Sequence, residues 1–309
     1  MILVTSGAKY LDIDAYACCI AYAELLQLRA KDAQAISTAV LNKSITPSLR
    51  ALPVAIDTHY QSHKDDTYVL VDLSDPDQFD TIVDLTQVEE VFDHHPGFEQ
   101  YWSKKLGDRS HIEFLGAAAT LIYEQWQQFG KFNAMSQSSA KLLAAAILDN
   151  TLNFGAGTTT QRDKSAYHLL SKHASLDDAW AAQYFSECQQ GVAADLPKAL
   201  QNDTKFLKFA NLPEKLCVGQ LAVWDASSLI ANELPTIATT LSAMQSEWFV
   251  NIISISEGYS YFLTPSSVIQ QWLHELLGVN FEGDAAKADK LWLRKEIIKA
   301  AQESSVIPV

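Results

Sequence analysis

Short apolar runs alternate with longer helix-like segments along the first half of the chain. Four runs have the length and apolar character of buried strands: residues 1–7, 33–40, 68–75 and 88–95. Three segments carry apolar residues at helical spacing: residues 14–32, 116–129 and 138–152. Buried strands that are separated by helices usually pair in parallel, with helices covering the sheet. The pattern therefore predicts an α/β fold with a mostly parallel sheet flanked by helices.

The pattern changes near residues 186–200, where small, polar, Gly and Pro residues accumulate. We place a linker at 189–196, between a first domain at 1–188 and a second domain at 197–309. The second domain has three strand-like runs, at 214–225, 247–256 and 259–265. Its helix-like segments fall at 234–245, 268–277 and 287–302. We therefore expect a second, smaller α/β domain.

Composition argues against several classes of protein. Of the 309 residues, 48% are apolar and 19% are charged, as in folded globular proteins. No apolar run approaches the roughly 20 residues of a membrane span, and the N-terminus lacks the basic region and cleavage site of a signal peptide. The four cysteines show no CxxC spacing, so we expect buried thiols in the cytoplasm. The net charge of −14 argues against nucleic acid as a partner.

Acidic side chains and a His pair follow several of the predicted strands and helices. They are Asp12, Asp14, Asp72, the triplet Asp93, His94 and His95, and Asp149. Parallel strands end at one edge of a sheet, so these groups should meet there. Carboxylates held so close repel one another unless cations lie between them. Oxygen ligands with one or two imidazoles favour Mn²⁺ or Mg²⁺, and a pair of such ions is a recurring device for phosphoryl chemistry.

Each of these groups also has a simpler interpretation. A single Asp at a strand end is more often a turn or a helix cap than a ligand, and Asp12 could cap the helix that follows it. An adjacent His pair is more often part of a surface loop than of a metal site. The metal-site hypothesis therefore depends on the whole set rather than on any one residue.

The ordered set resembles the DHH phosphoesterase superfamily, named for the Asp-His-His triplet found here at 93–95. Residues 12–23 resemble its Asp-x-Asp motif, Asp72 matches its second motif, and residues 144–166 resemble the last motif of manganese-dependent pyrophosphatases with the Thr-rich segment after it. The second domain resembles the DHHA2 domain shared by family II inorganic pyrophosphatases and prune-type exopolyphosphatases. No Gly-Gly pair occurs in the chain, which argues against the Gly-rich partner domain of RecJ-type nucleases.

The resemblance implies one or two Mn²⁺ or Mg²⁺ ions and a set of ligands for them. The implied ligands are Asp12, Asp14, Asp72, His94 and Asp149, with Asp72 bridging the two ions. Two neighbouring residues are alternatives for the last ligand. Asp149 is favoured by its chemistry, whereas alignment through residues 150–154 places the family's Asp on Asn150. If Asp149 is the ligand, Asn150 supports it from behind.

The resemblance also implies how substrate is held. Asp72, His94 and His95 would carry the catalysis, with His95 facing the substrate phosphate and Asp93 orienting the two histidines. Three basic residues of the second domain would bind phosphate: Lys205, Arg294 and Lys295. A solvated helix face explains the last two almost equally well.

The chain departs from the family four residues before Asp12. Pyrophosphatases have a metal-ligating His there and prune-type enzymes have Asn, whereas this chain has Ala8 followed by Lys9. Alanine cannot coordinate a metal, so one of the two metal positions lacks a ligand. The family's small hydroxyl residues at a later helix start are Ala117 and Ala118 here. These differences fit a divergent branch.

Three functions are consistent with these patterns. The leading hypothesis is a phosphohydrolase that cleaves phosphoanhydride bonds of a small anionic substrate, pyrophosphate or short polyphosphate, by a metal-activated water. The second is a catalytically weakened phosphate- or nucleotide-binding protein on the same scaffold. The third, a phosphodiesterase for very short oligonucleotides, is disfavoured by the charge and the missing Gly-rich motif. A homodimer is a further implication, since family pyrophosphatases often dimerise through an edge strand.

Overall fold

The computed structural model describes residues 1–209, 212 and 215–304. The chain divides into two compact units, Met1–Tyr184 and Phe185–Val309. The division therefore falls four residues before the predicted end of the first domain. The predicted linker at 189–196 is mostly helical: it holds the end of a helix at Trp180–Ala193 and the start of another at Leu196–Asn202. The Gln and Ala residues of this segment favour helix, and they outweigh its single Gly.

Five parallel strands form the main sheet of the first unit, which confirms the predicted class of fold. In chain order they are β1 Ile2–Thr5, β3 Ala33–Ala35, β5 Thr67–Val71, β6 Val88–Asp93 and β7 Ser110–Ile112. Their order across the sheet is β3-β1-β5-β6-β7, so β5 and β6 are neighbours and end at the same edge. A separate two-stranded sheet pairs β2 Tyr10–Leu11 with β4 Val40–Leu41.

Seven helices occur up to Ala193 in the described part of the chain, and the last of them crosses the division between the two units. They are α1 Ile13–Leu28, α2 Pro47–Arg50, α3 Glu99–Leu106, α4 Ala118–Gln128, α5 Gln137–Asn150, α6 Gln161–His173 and α7 Trp180–Ala193. Apolar residues surround α1 on every side, which is typical of a buried helix. It packs between β3 and the pair α4 and α5. Its polar N-terminus is therefore held rigidly near the edge where β5 and β6 end.

The second unit has a mixed six-stranded sheet between two layers of helices. Its strands are β8 Thr204–Leu207, β9 Leu216–Val223, β10 Trp248–Ser254, β11 Tyr259–Leu263, β12 Phe281–Glu282 and β13 Ala285–Lys287. Its further helices are α8 Leu196–Asn202, α9 Ala226–Met244, α10 Ser267–Leu277 and α11 Arg294–Ser304. Alternate residues of β9 serve two apolar cores, because side chains of a strand point to opposite faces.

Three segments differ from the sequence prediction. Residues 33–40 do not form one strand: residues 33–35 form β3 at the edge of the main sheet, and residue 40 begins β4 of the two-stranded sheet. The helix predicted at 287–302 begins only at Arg294, because residues 285–287 pair with β11 as β13. The helix predicted at 234–245 is the second half of the longer α9. No helix among the described residues is long and apolar enough to cross a membrane.

Candidate metal centre

Two carboxylates lie at the N-terminus of α1. Asp12 is the N-cap, and its side chain accepts a hydrogen bond from the Ala15 N–H at 3.0 Å. Asp14, in the first turn, is fully buried. Its two oxygens accept hydrogen bonds from the backbone N–H groups of Ala118 (2.9 Å) and Ala119 (2.8 Å). The capping role predicted as the simpler interpretation of Asp12 is thus real, and it holds the carboxylate beside Asp14.

Asp72 follows β5 directly and has a left-handed backbone, with φ of +56°. Its N–H continues the sheet by donating to the Phe92 carbonyl of β6 at 2.7 Å. Asp tolerates a left-handed backbone better than most residues, but the conformation is still strained, and strained backbone is common at functional sites. The turn directs the carboxylate towards His94, whose Nε2 lies 3.4 Å from Asp72 Oδ1 and 3.9 Å from Asp14 Oδ2.

The Asp-His-His triplet is organised by its own aspartate. Asp93 is fully buried, and its Oδ1 accepts from the backbone N–H groups of His94 and His95 and from His95 Nδ1 at 2.8 Å. His94 Nδ1 lies 3.1 Å from the Leu115 carbonyl. A carbonyl can only accept, so Nδ1 carries the proton and Nε2 presents a lone pair to the carboxylates.

Three buried side-chain atoms of this cluster have no hydrogen-bond partner: Asp93 Oδ2 and, 3.4 Å from each other, Asp72 Oδ1 and His94 Nε2. Buried polar atoms are almost always paired, so such orphans need an explanation. The oxygen of an Asp72 carboxylate and Nε2 of a neutral His94 protonated on Nδ1 are both acceptors, so in these states neither can satisfy the other. A divalent cation would satisfy both. Asp72, His94 and His95 also each offer one ligand atom within 4.8 Å of the others. The residues therefore fit the metal that the sequence implies, and hard oxygen ligands with imidazole suit Mn²⁺.

The electrostatics of the cluster also favour a cation. Burial raises the pKa of Asp72 well above its usual value, and the neighbouring Asp14 and Asp12 raise it further. Burial likewise raises the pKa of Asp14, although His94 opposes the shift. Both effects penalise the charged carboxylates, and a bound cation would remove that penalty.

The His95–Asp93 pair has the opposite character. The hydrogen bond to Asp93 raises the pKa of His95, while burial opposes this increase. Burial disfavours the Asp93 carboxylate, but the hydrogen bonds and charge of His95, together with a hydrogen bond from Ser74, outweigh it, and the pKa of Asp93 is lowered. His95 remains 57% exposed. Its imidazole is therefore oriented, inclined to hold a proton, and accessible to a ligand.

Asp149 and Asn150 lie at the end of α5. Asp149 Oδ1 accepts a hydrogen bond from the Tyr184 hydroxyl at 2.9 Å. Burial, with smaller contributions from Asp12 and Asp14, raises its pKa to about 7. Asn150 instead contacts the Ala146 carbonyl within its own helix, at 3.5 Å. Asp149 thus interacts electrostatically with the cluster, whereas the Asn150 amide has a long contact within α5.

A cavity of about 340 Å³ opens beside the cluster in the first unit. Its lining includes Asp12, Asp72 and His95, and both Ala8 and Lys9 contribute to its wall. Ala8, the position at which the resemblance implied a missing ligand, therefore lies at the cavity and presents only a methyl group. Lys9, a cationic residue, lines the same wall.

The three basic residues of the second unit differ in their surroundings. Lys205 on β8 and Lys295 on α11 are exposed. Arg294 is only 11% exposed, and its guanidinium donates to the Asp203 side chain at 2.5 Å and to the Asp203 carbonyl at 2.6 Å. The solvated-helix interpretation therefore fits Lys295 but not Arg294, which anchors the start of α11 to the loop before β8.

Sequence reasoning missed the groups that hold the cluster from behind. They are the Leu115 carbonyl, the N–H groups of Ala118 and Ala119, and the Tyr184 hydroxyl. The backbone groups leave no signal in residue type, although a Gly before an Ala-rich helix start allows close backbone approach. Tyr184 had no signal, because it reaches Asp149 across 35 positions of sequence.

Comparison with known proteins agrees with the fold. No family model matches the chain. The manganese-dependent inorganic pyrophosphatase of Methanothrix thermoacetophila is 25% identical over 313 residues, which cover 97% of this chain and 96% of the relative. A candidate family II inorganic pyrophosphatase of Methanococcus jannaschii has a solved structure with a TM-score of 0.64 at 20% identity, covering 98% of this chain and 99% of that one. An exopolyphosphatase-related protein of Bacteroides fragilis has a TM-score of 0.51 at 12% identity, with 98% and 91% covered.

These matches, over nearly the full length of both chains, give the protein the two-domain fold of a family II pyrophosphatase. The resemblance predicted from the DHH motifs is confirmed: the chain resembles the branch that contains manganese-dependent inorganic pyrophosphatases and exopolyphosphatase-related proteins.

Proposed function

We propose that the protein is a metal-dependent hydrolase that cleaves the phosphoanhydride bond of pyrophosphate or a short polyphosphate, with Mn²⁺ as its cofactor. The observation that carries the proposal is the pair of orphaned acceptors, Asp72 Oδ1 and His94 Nε2, 3.4 Å apart in a buried acidic cluster. The named activity of the full-length pyrophosphatase relatives supports the same reaction.

The proposed ligands come from four parts of the first unit: the start of α1, the ends of β5 and β6, and the end of α5. Asp12 and Asp14 approach from α1, Asp72 from β5, and His94 from the end of β6. Asp149 is the proposed last ligand, with Asn150 as the alternative at that position. Asp14 Oδ1 accepts from both the Ala119 N–H and the Cys18 thiol, whereas Oδ2 accepts only the Ala118 N–H and keeps a lone pair for a cation. When bound, Mn²⁺ would neutralise phosphate oxygens and lower the pKa of an attacking water.

His95 has the properties of a phosphate-binding group. Its Nδ1 is held by Asp93, which leaves Nε2 as the accessible ring atom. Asp93 raises the pKa of His95, so the protonated imidazole persists to a higher pH than in an isolated histidine. We propose that it donates a charge-assisted hydrogen bond to a substrate oxygen.

The second unit is proposed to supply cationic contacts to the substrate. Lys205 and Lys295 are exposed, and their ammonium groups suit a phosphate. Arg294 uses its guanidinium on Asp203, so we assign it a supporting role in placing Lys295 at the start of α11. The resemblance predicted that Lys205, Arg294 and Lys295 all bind substrate. We assign Arg294 a different role because its guanidinium already contacts Asp203.

A catalytically weakened phosphate- or nucleotide-binding protein is the second candidate. The observation in its favour is Ala8, which lines the cavity where the pyrophosphatases carry a ligand. With Ala8, one metal position has fewer donors than the other, and Lys9 adds a positive charge nearby. Such a site would bind phosphate and turn over slowly.

A phosphate-release assay distinguishes these candidates. The purified protein would be incubated with pyrophosphate, tripolyphosphate, longer polyphosphate and nucleoside triphosphates, in Mn²⁺, in Mg²⁺ and in chelator. We expect Mn²⁺-dependent release from pyrophosphate or tripolyphosphate, and none in chelator. Tight phosphate binding without turnover of any substrate would select the second candidate. Release that persists in chelator would contradict both.

A cytoplasmic location is proposed as well, and it is supported by the four cysteines, which form no disulfide. The homodimer implied by the resemblance stays a prediction. Light scattering of the purified protein would test it.

A further inference from the structure

The segment 115–119, between β7 and the first turn of α4, contacts two proposed metal ligands at once. Its Leu115 carbonyl accepts from His94 Nδ1 at 3.1 Å. Its Ala118 and Ala119 N–H groups each donate to a different oxygen of Asp14. The segment therefore fixes both the tautomer and ring orientation of His94 and the plane of the Asp14 carboxylate, using backbone groups alone.

Asp163, near the start of α6, anchors this segment from behind. Its side chain is fully buried. Its Oδ2 accepts from the Gly116 N–H at 3.1 Å and from the N–H and hydroxyl of Thr160, each at 2.7 Å. Its Oδ1 accepts from the Thr120 hydroxyl of α4 at 2.6 Å. One carboxylate thus binds the middle of the segment, the first turn of α4, and the cap of α6.

The contact at Gly116 has no room for a side chain. A Cβ atom there would lie 2.5 Å from Thr151 Cγ2 and 2.8 Å from Asp163 Oδ2. Real Cβ contacts are longer than this, so the backbone approaches Asp163 as closely as it does only because the residue is Gly. The close approach is needed for the 3.1 Å hydrogen bond that ties the segment to α6.

We propose that Asp163 is a positioning residue for the metal centre, acting through the segment 115–119 on His94 and Asp14. The proposal rests on the proposed metal-dependent function, because the two oriented residues are ligands in it. Groups behind metal ligands typically account for a factor of 10–100 in metal affinity or activity. Asp163 stands one step further back than usual, since it orients the backbone that orients the ligands.

The Asp163 carboxylate also serves the α6 cap, so the test must separate the two roles. Thr160 and Asp163 form a capping box, in which each side chain bonds the backbone of the other. Thr160→Ala removes the hydroxyl half of that cap but leaves the Gly116 and Thr120 bonds to Asp163. It is therefore the matched control: a loss of the cap without a loss of the segment's anchor.

Asp163→Asn provides the conservative rescue. The amide oxygen can take the place of Oδ2 and accept from Gly116 and Thr160, while the amide NH₂ faces Thr120, whose hydroxyl can turn to accept. Asp163→Ala removes all of these bonds. The segment should therefore stay anchored in the Asn variant and be released in the Ala variant.

The experiment measures Mn²⁺ affinity by titration calorimetry, with Mn²⁺ alone as the ligand, on wild type and the three variants. We expect Asp163→Ala to weaken Mn²⁺ binding by about 10–100-fold. Thr160→Ala should lower thermal stability with affinity close to wild type, and Asp163→Asn should also bind nearly as wild type. Mn²⁺-dependent phosphate release is the second readout, where a loss in kcat at unchanged KM for pyrophosphate is expected of Asp163→Ala.

Equal Mn²⁺ affinity in wild type and Asp163→Ala would overturn the proposal, as would an equal loss in Thr160→Ala. A wild-type protein that binds no Mn²⁺ would instead overturn the proposed function. If Asp163→Ala does not fold, Gly116→Ala decides the matter, because the added Cβ displaces the segment while Asp163 stays in place. A folded Gly116→Ala variant with wild-type affinity would again contradict the proposal.

Discussion

Asp149→Asn is a substitution for which the structure gives both a direction and a size. The Asp149 carboxyl is partly buried at the end of α5, and this burial raises its pKa from 3.8 to about 7, with Asp12 and Asp14 contributing. The Tyr184 hydroxyl, which donates to Oδ1, opposes the shift without cancelling it. An asparagine oxygen can accept the same hydrogen bond from Tyr184 but cannot ionise.

The sign of the effect follows from proton binding. The folded-state pKa of Asp149 lies above the unfolded value, so the folded protein holds a proton that the unfolded chain releases between pH 3.8 and about 7. Stability should therefore fall as pH rises through this window. A shift of about three units corresponds to at most about 4 kcal/mol at 1.36 kcal/mol per unit. Because the side chain is only partly buried, we expect Asp149→Asn to stabilise the metal-free protein by about 1–3 kcal/mol at pH 8.

Urea unfolding in chelator at pH 4 and pH 8 measures this difference. The variant should be more stable than wild type at pH 8, and the difference should be small at pH 4, where the carboxyl is protonated in the folded state and only about half ionised in the unfolded chain. Mn²⁺ should reverse the order at pH 8, since the cation stabilises the wild-type carboxylate and the variant has lost a ligand.

Asn150→Ala is the companion variant, because it tests the other residue at the last ligand position. If Asn150→Ala loses Mn²⁺ affinity and Asp149→Asn does not, Asn150 holds that position. If the difference in stability between wild type and Asp149→Asn is the same at pH 4 and at pH 8, the reasoning is refuted, because Asp149 then ionises as easily in the folded protein as in the unfolded chain.

Three further substitutions test the remaining assignments. Asp72→Ala should lower Mn²⁺-dependent phosphate release by about 10³-fold or more with an unchanged circular dichroism spectrum; near-wild-type turnover would place the chemistry elsewhere. Ala8→His should raise the affinity for a second Mn²⁺ in calorimetry at pH 8, because it adds a neutral donor to the cavity wall; two equally tight ions already present in wild type would contradict this. Arg294→Gln should destabilise the second unit by about 1–3 kcal/mol in urea, because it removes the guanidinium bonds to the Asp203 side chain and carbonyl, whereas the exposed Lys295→Ala should change stability by less than about 0.5 kcal/mol; equal effects would argue against the anchoring role of Arg294.

The pattern of the sequence was sufficient to predict the central part of the site. Strand periodicity is a local property, and parallel strands must end at one edge. Asp72 and the Asp93–His94–His95 triplet each follow such a strand, so their proximity could be predicted once β5 and β6 were taken as neighbours. Asp12 and Asp14 could be added because α1 follows β1 closely. The two-domain α/β fold could be predicted for the same reason.

The tertiary structure decided which partners each group has. Asp14 receives its hydrogen bonds from backbone N–H groups 104 and 105 residues away, and Arg294 meets Asp203 across 91 residues. Residue type does not reveal which backbone N–H groups will donate to a side chain. An Arg that binds substrate cannot be distinguished in the sequence from an Arg that pairs with an internal carboxylate. The division between the two units falls inside α7, after Tyr184, whereas the sequence prediction ended the first domain at residue 188. Helix-forming residues continue across this boundary, so the local sequence does not mark it. Periodicity is read along the chain, whereas hydrogen bonds and ion pairs depend on distances in space that only the packed fold sets.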